Sequence, residues 1–349
     1  MIHRATHRLG TIRPDACLAI PITVLVLALS SCAPAAGPDR MDALVPDGDL
    51  CPPLVLDAGP TGAQSYSLRF DEDVEAVEGS FALEPPDALL TASSRGSWLD
   101  IAFSAPQRPG TDYAVAGEAA DRHGNRTRFV FQFPGWNDRQ PELRISELQT
   151  AKNSSSLHPH RDFVELLAMT EGNLGGVELE WCSSVKTCVY RFAGVEVACG
   201  ERIVLHLAPE GLAGERDETG EDLAVSEGVD SSPTGRDFWS AAGGLPDQSG
   251  VLLLRWRPGV QPVDGLFYSA DDKSGPLPED RIAAALQTMM HAGIWNCASG
   301  GTTWEEGFRW HPSVARSLDR REGGGCGQDS WYLSASGAQS PGLPNDPAP

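Results

Sequence analysis

Basic residues are scarce in this chain: 27 Lys and Arg stand against 48 Asp and Glu in 349 residues, a formal charge of −21. A field of that sign repels phosphate backbones and anionic headgroups, which argues against nucleic acid and leaves cations or basic protein surfaces as partners. Beyond the first 31 residues there is no apolar run near the roughly 20 residues that a membrane span needs. Also missing are a Gly-x-Ser-x-Gly elbow, a phosphate-binding glycine loop, a His-Glu-x-x-His pair and a dinucleotide fingerprint. Those strings announce hydrolytic, nucleotide or zinc-peptidase chemistry, so catalysis is not expected. What the chain does have is 41% hydrophobic residues, enough to build packed cores.

The N-terminus reads as an export segment. Arg4, Arg8 and Arg13 precede an apolar stretch from Ala19 to Leu29, which runs into Leu29-Ser30-Ser31-Cys32. A positive start before about 11 apolar residues has the order of a secretion signal and is too short to span a bilayer. Leu-Ser-Ser-Cys resembles the lipobox of bacterial lipoproteins. The resemblance implies a signal peptide over residues 1–31, cleavage before Cys32, and covalent diacylglycerol and N-acyl lipid on that cysteine. Two or three acyl chains make a long-lived membrane anchor. Ala33, in place of Asp, implies an outer-membrane address, periplasmic or surface-facing. Residues 32–50, rich in Ala, Pro, Gly and Asp, read as a flexible tether. The first 31 residues carry +2, which leaves −23 on the remainder.

Cys17 departs with the signal and Cys32 takes the lipid, leaving Cys51, Cys182, Cys188, Cys199, Cys297 and Cys326. An oxidising compartment permits up to three disulfides among them, in about 15 connectivities that spacing does not separate. Cys182 with Cys188, flanking a polar hairpin loop, is the favoured pair. Cys297 with Cys326, around the Gly- and Trp-rich C-terminal segment, is the second. Zinc is disfavoured, since no tight Cys-x-x-Cys pair occurs.

From Cys51 to Trp136 short segments alternate between two faces: Tyr66, Leu68 and Phe70; Leu99, Ile101 and Phe103; Tyr113 and Val115; Phe129, Phe131 and Phe133. Period two with turn residues between the runs predicts an antiparallel β-sandwich over residues 51–137. Leu68-Arg69-Phe70-Asp71-Glu72-Asp73-Val74, Pro109-Gly110-Thr111-Asp112-Tyr113 and Asp121-Arg122-His123-Gly124-Asn125 resemble bacterial immunoglobulin-like domains. Asp71, Glu72 and Asp73 are oxygen ligands of the type calcium takes, or else a solvated strand end.

A second module is expected over residues 141–345. It opens with Ile145-Ser146-Glu147-Leu148 and Asp162-Phe163-Val164-Glu165-Leu166, and passes through Gly200-Glu201 and Val263-Asp264. It closes with Ser340-Pro341-Gly342-Leu343-Pro344-Asn345. That order resembles the lamin-tail domain, which implies a second immunoglobulin-like β-sandwich. The fold class is thus all-β, two consecutive sandwiches. Residues 209–237 and 271–311 depart from the pattern and are expected as loop insertions. The second carries a helix over Glu279–His291, with Ile282, Leu286, Met289 and Met290 at helical spacing.

Three functional readings follow. A non-enzymatic lipid-anchored envelope protein with a binding, adhesion or structural role leads, its partners being the membrane and an envelope protein or glycan. A carbohydrate-binding lipoprotein stacking sugars on Trp304 and Trp310 is the alternative. A metal-dependent hydrolase on His158, His160 and Asp162 is the third; the simpler reading is a solvent-facing loop with no metal.

Overall fold

Alternation of apolar and polar residues gives a strand one dry face and one wet face, and the first sandwich is built on that rule. The computed structural model describes residues 50–150, 162–207, 209–298 and 300–346, all within one compact unit, Leu50–Pro349. The first strands are β1 (Val55–Gly62), β2 (Ser65–Phe70), β3 (Glu75–Ala76) and β4 (Ala82–Glu84). They are followed by β5 (Leu90–Arg95), β6 (Trp98–Phe103), β7 (Asp112–Ala120) and β8 (Arg126–Pro134). One sheet runs β1-β2-β6-β5; in the other, β8 lies along β7, with β3 and β4 also paired to β7. Tyr66, Leu68, Phe70, Leu99, Ile101, Phe103, Tyr113, Val115, Phe129 and Phe133 fill the space between the sheets, as their alternation predicts. Phe131 is only partly buried. Phe133 packs 4.7 Å from the Tyr66 ring and 5.7 Å from that of Tyr113.

The second region continues with β9 (Leu143–Gln149), β10 (Phe163–Ala168), β11 (Gly172–Asn173), β12 (Glu178–Cys182), β13 (Thr187–Arg191) and β14 (Glu196–Val197). Next come β15 (Arg202–Leu207), β16 (Gly235–Ser240), β17 (Ser249–Arg255) and β18 (Asp264–Ala270). A helix α1 (Arg281–His291) and strands β19 (Phe308–Trp310), β20 (Leu318–Arg320) and β21 (Trp331–Leu333) complete it. A six-stranded sheet, β16-β15-β10-β9-β20-β21, faces a five-stranded sheet, β13-β12-β17-β18-β19, and β11 pairs with β14. The fold is therefore all-β with one short helix, and it carries two separate hydrophobic cores.

Both insertions do more than loop outward. β15 pairs with β16 and β18 with β19 in parallel. Parallel neighbours need a long crossover, and each insertion supplies one. The second crossover carries α1, whose N-terminus is capped by Asp280 accepting from the backbone N–H groups of Ile282 (2.9 Å) and Ala283 (3.3 Å). Ile282, Ala285, Leu286 and Met289 are buried. A Cβ on Gly265 would come within 2.9 Å of Met289 Cε, so the small residue lets the helical layer sit close on β18. This cover explains why Val251, Leu252, Leu253 and Leu254 are all buried: β17, at the centre of the five-stranded sheet, is covered on both faces.

The two sandwiches meet at a joint of close backbone approach. A Cβ on Gly194 would lie 2.2 Å from the Pro109 carbonyl oxygen, and one on Gly175 would lie 2.5 Å from the Pro109 carbonyl carbon. Asn137 Nδ2 donates across the joint to the carbonyls of Asn173 (2.8 Å) and Gly175 (2.9 Å). Arg191 bridges Asp112 (2.8 Å) and Glu178 (3.1 Å).

The expected Cys182–Cys188 disulfide is corrected by strand register. Trp181 sits opposite Cys188 and Cys182 opposite Thr187, so the two thiols project to opposite faces of the sheet. Cys182 Sγ points to the Arg281 carbonyl under α1 (3.7 Å), and Cys188 Sγ to that of Ala242 (3.2 Å). Cys182, Cys188, Cys199, Cys297 and Cys326 are free thiols.

Candidate functional site

Chemistry-bearing side chains concentrate on the outer face of the six-stranded sheet. The strand pairing passes from Glu165–Glu147 to Leu166–Ile145, so Ser146 is an extra residue in β9. Such a bulge shifts the alternation by one, letting Ile145 and Leu148 both reach the core while Glu147 turns outward beside Glu165. Asp319 on β20 pairs with Glu147, and Tyr332 on β21 pairs with Asp319. Three carboxyl groups thus stand in register across three adjacent strands, each 0% exposed.

They are covered by the chain's closing segment. Ser340 gives its backbone N–H and its hydroxyl to the two oxygens of Glu147, each at 3.0 Å. Gly342 N–H donates to Glu165 Oε2 (2.8 Å), while Ser146 Oγ and Arg202 donate to Glu165 Oε1 (2.6 and 2.5 Å). Ser317 Oγ donates to Asp319 (2.6 Å). Burial pushes the Glu165 carboxyl up to about 7 against the pull of Arg202, with Glu147 adding to the rise. Burial, then the neighbouring Glu147, likewise pushes Asp319 up to about 7, and burial raises Glu147.

The same face continues across β15 and β16. His206 Nε2 lies 2.8 Å from Asp237 Oδ1 in complete burial, and its ring stacks on Trp239 with centroids 4.2 Å apart. Glu218, from the acidic insertion, accepts the backbone N–H groups of Val225, Ser226 and Asp237 at 3.1, 3.0 and 2.9 Å. Between the sheets, Arg320 reaches Asp264 at 2.6 Å. Acid–base catalysis needs a carboxyl oxygen within hydrogen-bonding reach of a substrate. Here each oxygen of Glu147 and Glu165 already accepts a protein donor, so the arrangement fastens strands and strap together.

The sequence-selected residues fare differently. Trp304 and Trp310 are 8% and 3% exposed and belong to the second core. Trp304 lies near Phe267 and under the Lys273 ammonium, and Trp310 packs edge-on to Tyr268, which leaves neither a sugar-stacking face. Asp162 is buried and accepts the Leu245 N–H (2.7 Å). His158, His160 and Cys32 lie outside the described residues. Asp71 accepts the Leu54 N–H (2.8 Å). Among the described residues no group of three His, Cys, Asp or Glu side chains is arranged to hold a metal ion, and no helix is long and apolar enough to cross a membrane. Cys297 and Cys326 line one hollow with Glu306 and Asp329; burial, then the Glu306 hydrogen bond, pushes the Cys297 thiol up to about 12.

Sequence reasoning passed over the acid row, although its signal was present as a glutamate inside each of two apolar strands, Ile-Ser-Glu-Leu and Phe-Val-Glu-Leu. What it lacked was the bulge and the strap that make these positions interior.

An uncharacterized protein of Treponema pallidum (strain Nichols) is 26% identical over 269 residues, covering 74% of this chain and 67% of that protein. Among solved structures, a DUF4876 family protein from Bacteroides thetaiotaomicron VPI-5482 aligns with a TM-score of 0.27 and 10% identity, over 76% of this chain and 90% of the other. A family model for TP_1001_2nd, protein second domain, matches residues 141–334. That match takes in both sheets of the second sandwich, the acid row and α1, and by it the chain belongs to the TP_1001 second-domain family.

Proposed function

We propose that this chain is a non-enzymatic, lipid-anchored protein of the bacterial cell envelope, a rigid two-sandwich spacer whose exposed loops contact another envelope protein.

 The reading rests on Leu29-Ser30-Ser31-Cys32 at the end of its short apolar stretch, which supports lipid attachment at Cys32 and an outer-membrane address. The motif order from Leu143 to Asn345 supports a lamin-tail-like second domain. A binding or structural role is supported by the side chains that could do chemistry, Glu147, Glu165, Asp264, Arg320, His206 and Asp237, being engaged with partners inside the fold. The glycine-lined joint supports a stiff connection between the sandwiches.

Mass spectrometry of the protein from the membrane fraction tests the anchor. A mature chain beginning at acylated Cys32 is expected, and Cys32→Ala should leave the protein unprocessed and without the acyl mass. An unmodified Cys32 still joined to residues 1–31 overturns the proposal. Cross-linking and pull-down from envelope extracts with soluble residues 33–349 tests the role, with reproducible capture of an envelope protein expected, and recovery of glycan alone counting against it.

A further inference from the structure

The segment that closes the six-stranded sheet, residues 340–346, forms no strand of its own. It is held by Ser340 on Glu147, Gly342 on Glu165, and Asn345 Nδ2 on the Ser146 carbonyl (2.9 Å). Tyr332 adds its hydroxyl to the Asp346 carbonyl, and Thr234 adds its own to that of Gly342 (2.9 Å). The charged and titratable groups that meet beneath it come from five strands: Glu147 from β9, Glu165 from β10, Arg202 from β15, Asp319 from β20 and Tyr332 from β21, with Asp346 on the segment itself. One guanidinium faces three buried carboxyl groups, so full ionisation would leave two unmatched negative charges at adjacent register positions. Like charges this close in a dry environment do not all ionise together.

We propose that residues 340–346 are a proton-controlled strap, held down while the acid row shares a proton and lifted when the row loses it. With the strap lifted, Glu147 and Glu165 lose their donors and gain water, and they ionise as ordinary carboxyl groups. The closed form therefore binds more protons than the open form. By linkage, closure weakens by about tenfold per pH unit for each proton that the closed row keeps and the open form has lost, and the fall levels off once the closed row has given its proton up as well. The burial-raised carboxyls Glu165 and Asp319 put that levelling near neutrality.

Hydrogen–deuterium exchange of the purified full chain between pH 5 and pH 9, corrected for the intrinsic pH dependence of exchange, tests this. Protection of peptides spanning residues 335–346 is expected to fall by up to about tenfold per pH unit between pH 5 and pH 7 and to level off above that, while β17 and the first sandwich keep theirs. Glu165→Gln keeps an acceptor for the Gly342 N–H and removes a titrating group, so it should flatten the fall. Asp319→Asn should do the same by a separate route, and β17 protection in the same spectra reports whether each variant is folded. Strap protection that is constant from pH 5 to pH 7 overturns the proposal. So does loss of strap and β17 protection in parallel, or an unchanged pH dependence in both folded variants.

Discussion

The two sandwiches use the same strand chemistry and differ in where they keep their charges. In the first, the ion pairs are at the surface: Arg108–Asp87 and Arg128–Glu118 each have an arginine more than half exposed. In the second, Arg320–Asp264, Arg202–Glu165 and His206–Asp237 are all interior. The reason is architectural. Two sheets with open outer faces can send every second residue to water, whereas the second sandwich has a helical crossover over one sheet and an acidic crossover plus a strap over the other. Covering an outer face turns ordinary wet positions into buried ones, and each polar group there must then find a partner within the protein.

The largest effect that would sharpen this comparison is expected from Arg320→Ala. It leaves Asp264 buried without its cation, at a cost of about 3–5 kcal/mol. In chemical denaturation the loss should fall on the second sandwich, and Arg108→Ala in the first, which removes an exposed pair, should cost far less. An equal response from both pairs would break the comparison.

Leu99→Ala removes a fully buried side chain from the apolar core of the first sandwich, for an expected loss of about 3 kcal/mol. Exchange protection should drop in β6 and β7 first, and a drop confined to the second sandwich would contradict two separate cores.

The pH response should separate the regions by sign. Glu165 and Asp319 hold their protons to about 7 in the folded state and to about 4 in the unfolded chain. The folded form binds more protons across that interval, so the second sandwich loses about 1–2 kcal/mol as the pH rises from 6 to 8. In the first sandwich, burial pushes Asp121 up, but hydrogen bonds from Asn125 and His123 prevail and hold it below the usual carboxylate range. Its contribution is therefore present at neutral pH and lost only on acidification. Thermal melts at pH 6 and pH 8 measure the first sign and melts at pH 6 and about pH 3 the second, each read by exchange in each sandwich.

The smallest expected effect is Asp280→Ala, which removes the cap of α1 and costs about 1 kcal/mol. Its consequence should stay within the helical layer over β17 and β18, and spread to the first sandwich would show stronger coupling through the joint than the packing implies.

Legibility followed the same division. Every alternating residue singled out in the first sandwich lies in or against its core, because one covered face per sheet preserves the period of two. The helix at Arg281–His291 was legible too, through its spacing, and begins two residues later than the pattern predicts because Asp280 caps it. Trp304 and Trp310 were open between sugar stacking and packing on the sandwich, since aromatic content alone does not say whether a crossover folds back onto the sheet; both are buried. The Cys182–Cys188 pairing failed for the opposite reason: sequence distance was suitable, but a one-residue difference in register sends the thiols to opposite faces.

The sequence by itself determined the all-β class, the strands of the first sandwich and the helical segment, because these depend on local periodicity and turn chemistry. Only the tertiary structure decided that Glu147, Glu165 and Asp319 form one buried row, since that depends on a bulge at Ser146 and on a strap almost 200 residues away along the chain (193 between Glu147 and Ser340). Burial is a property of what lies on top of a residue, and no local pattern records it.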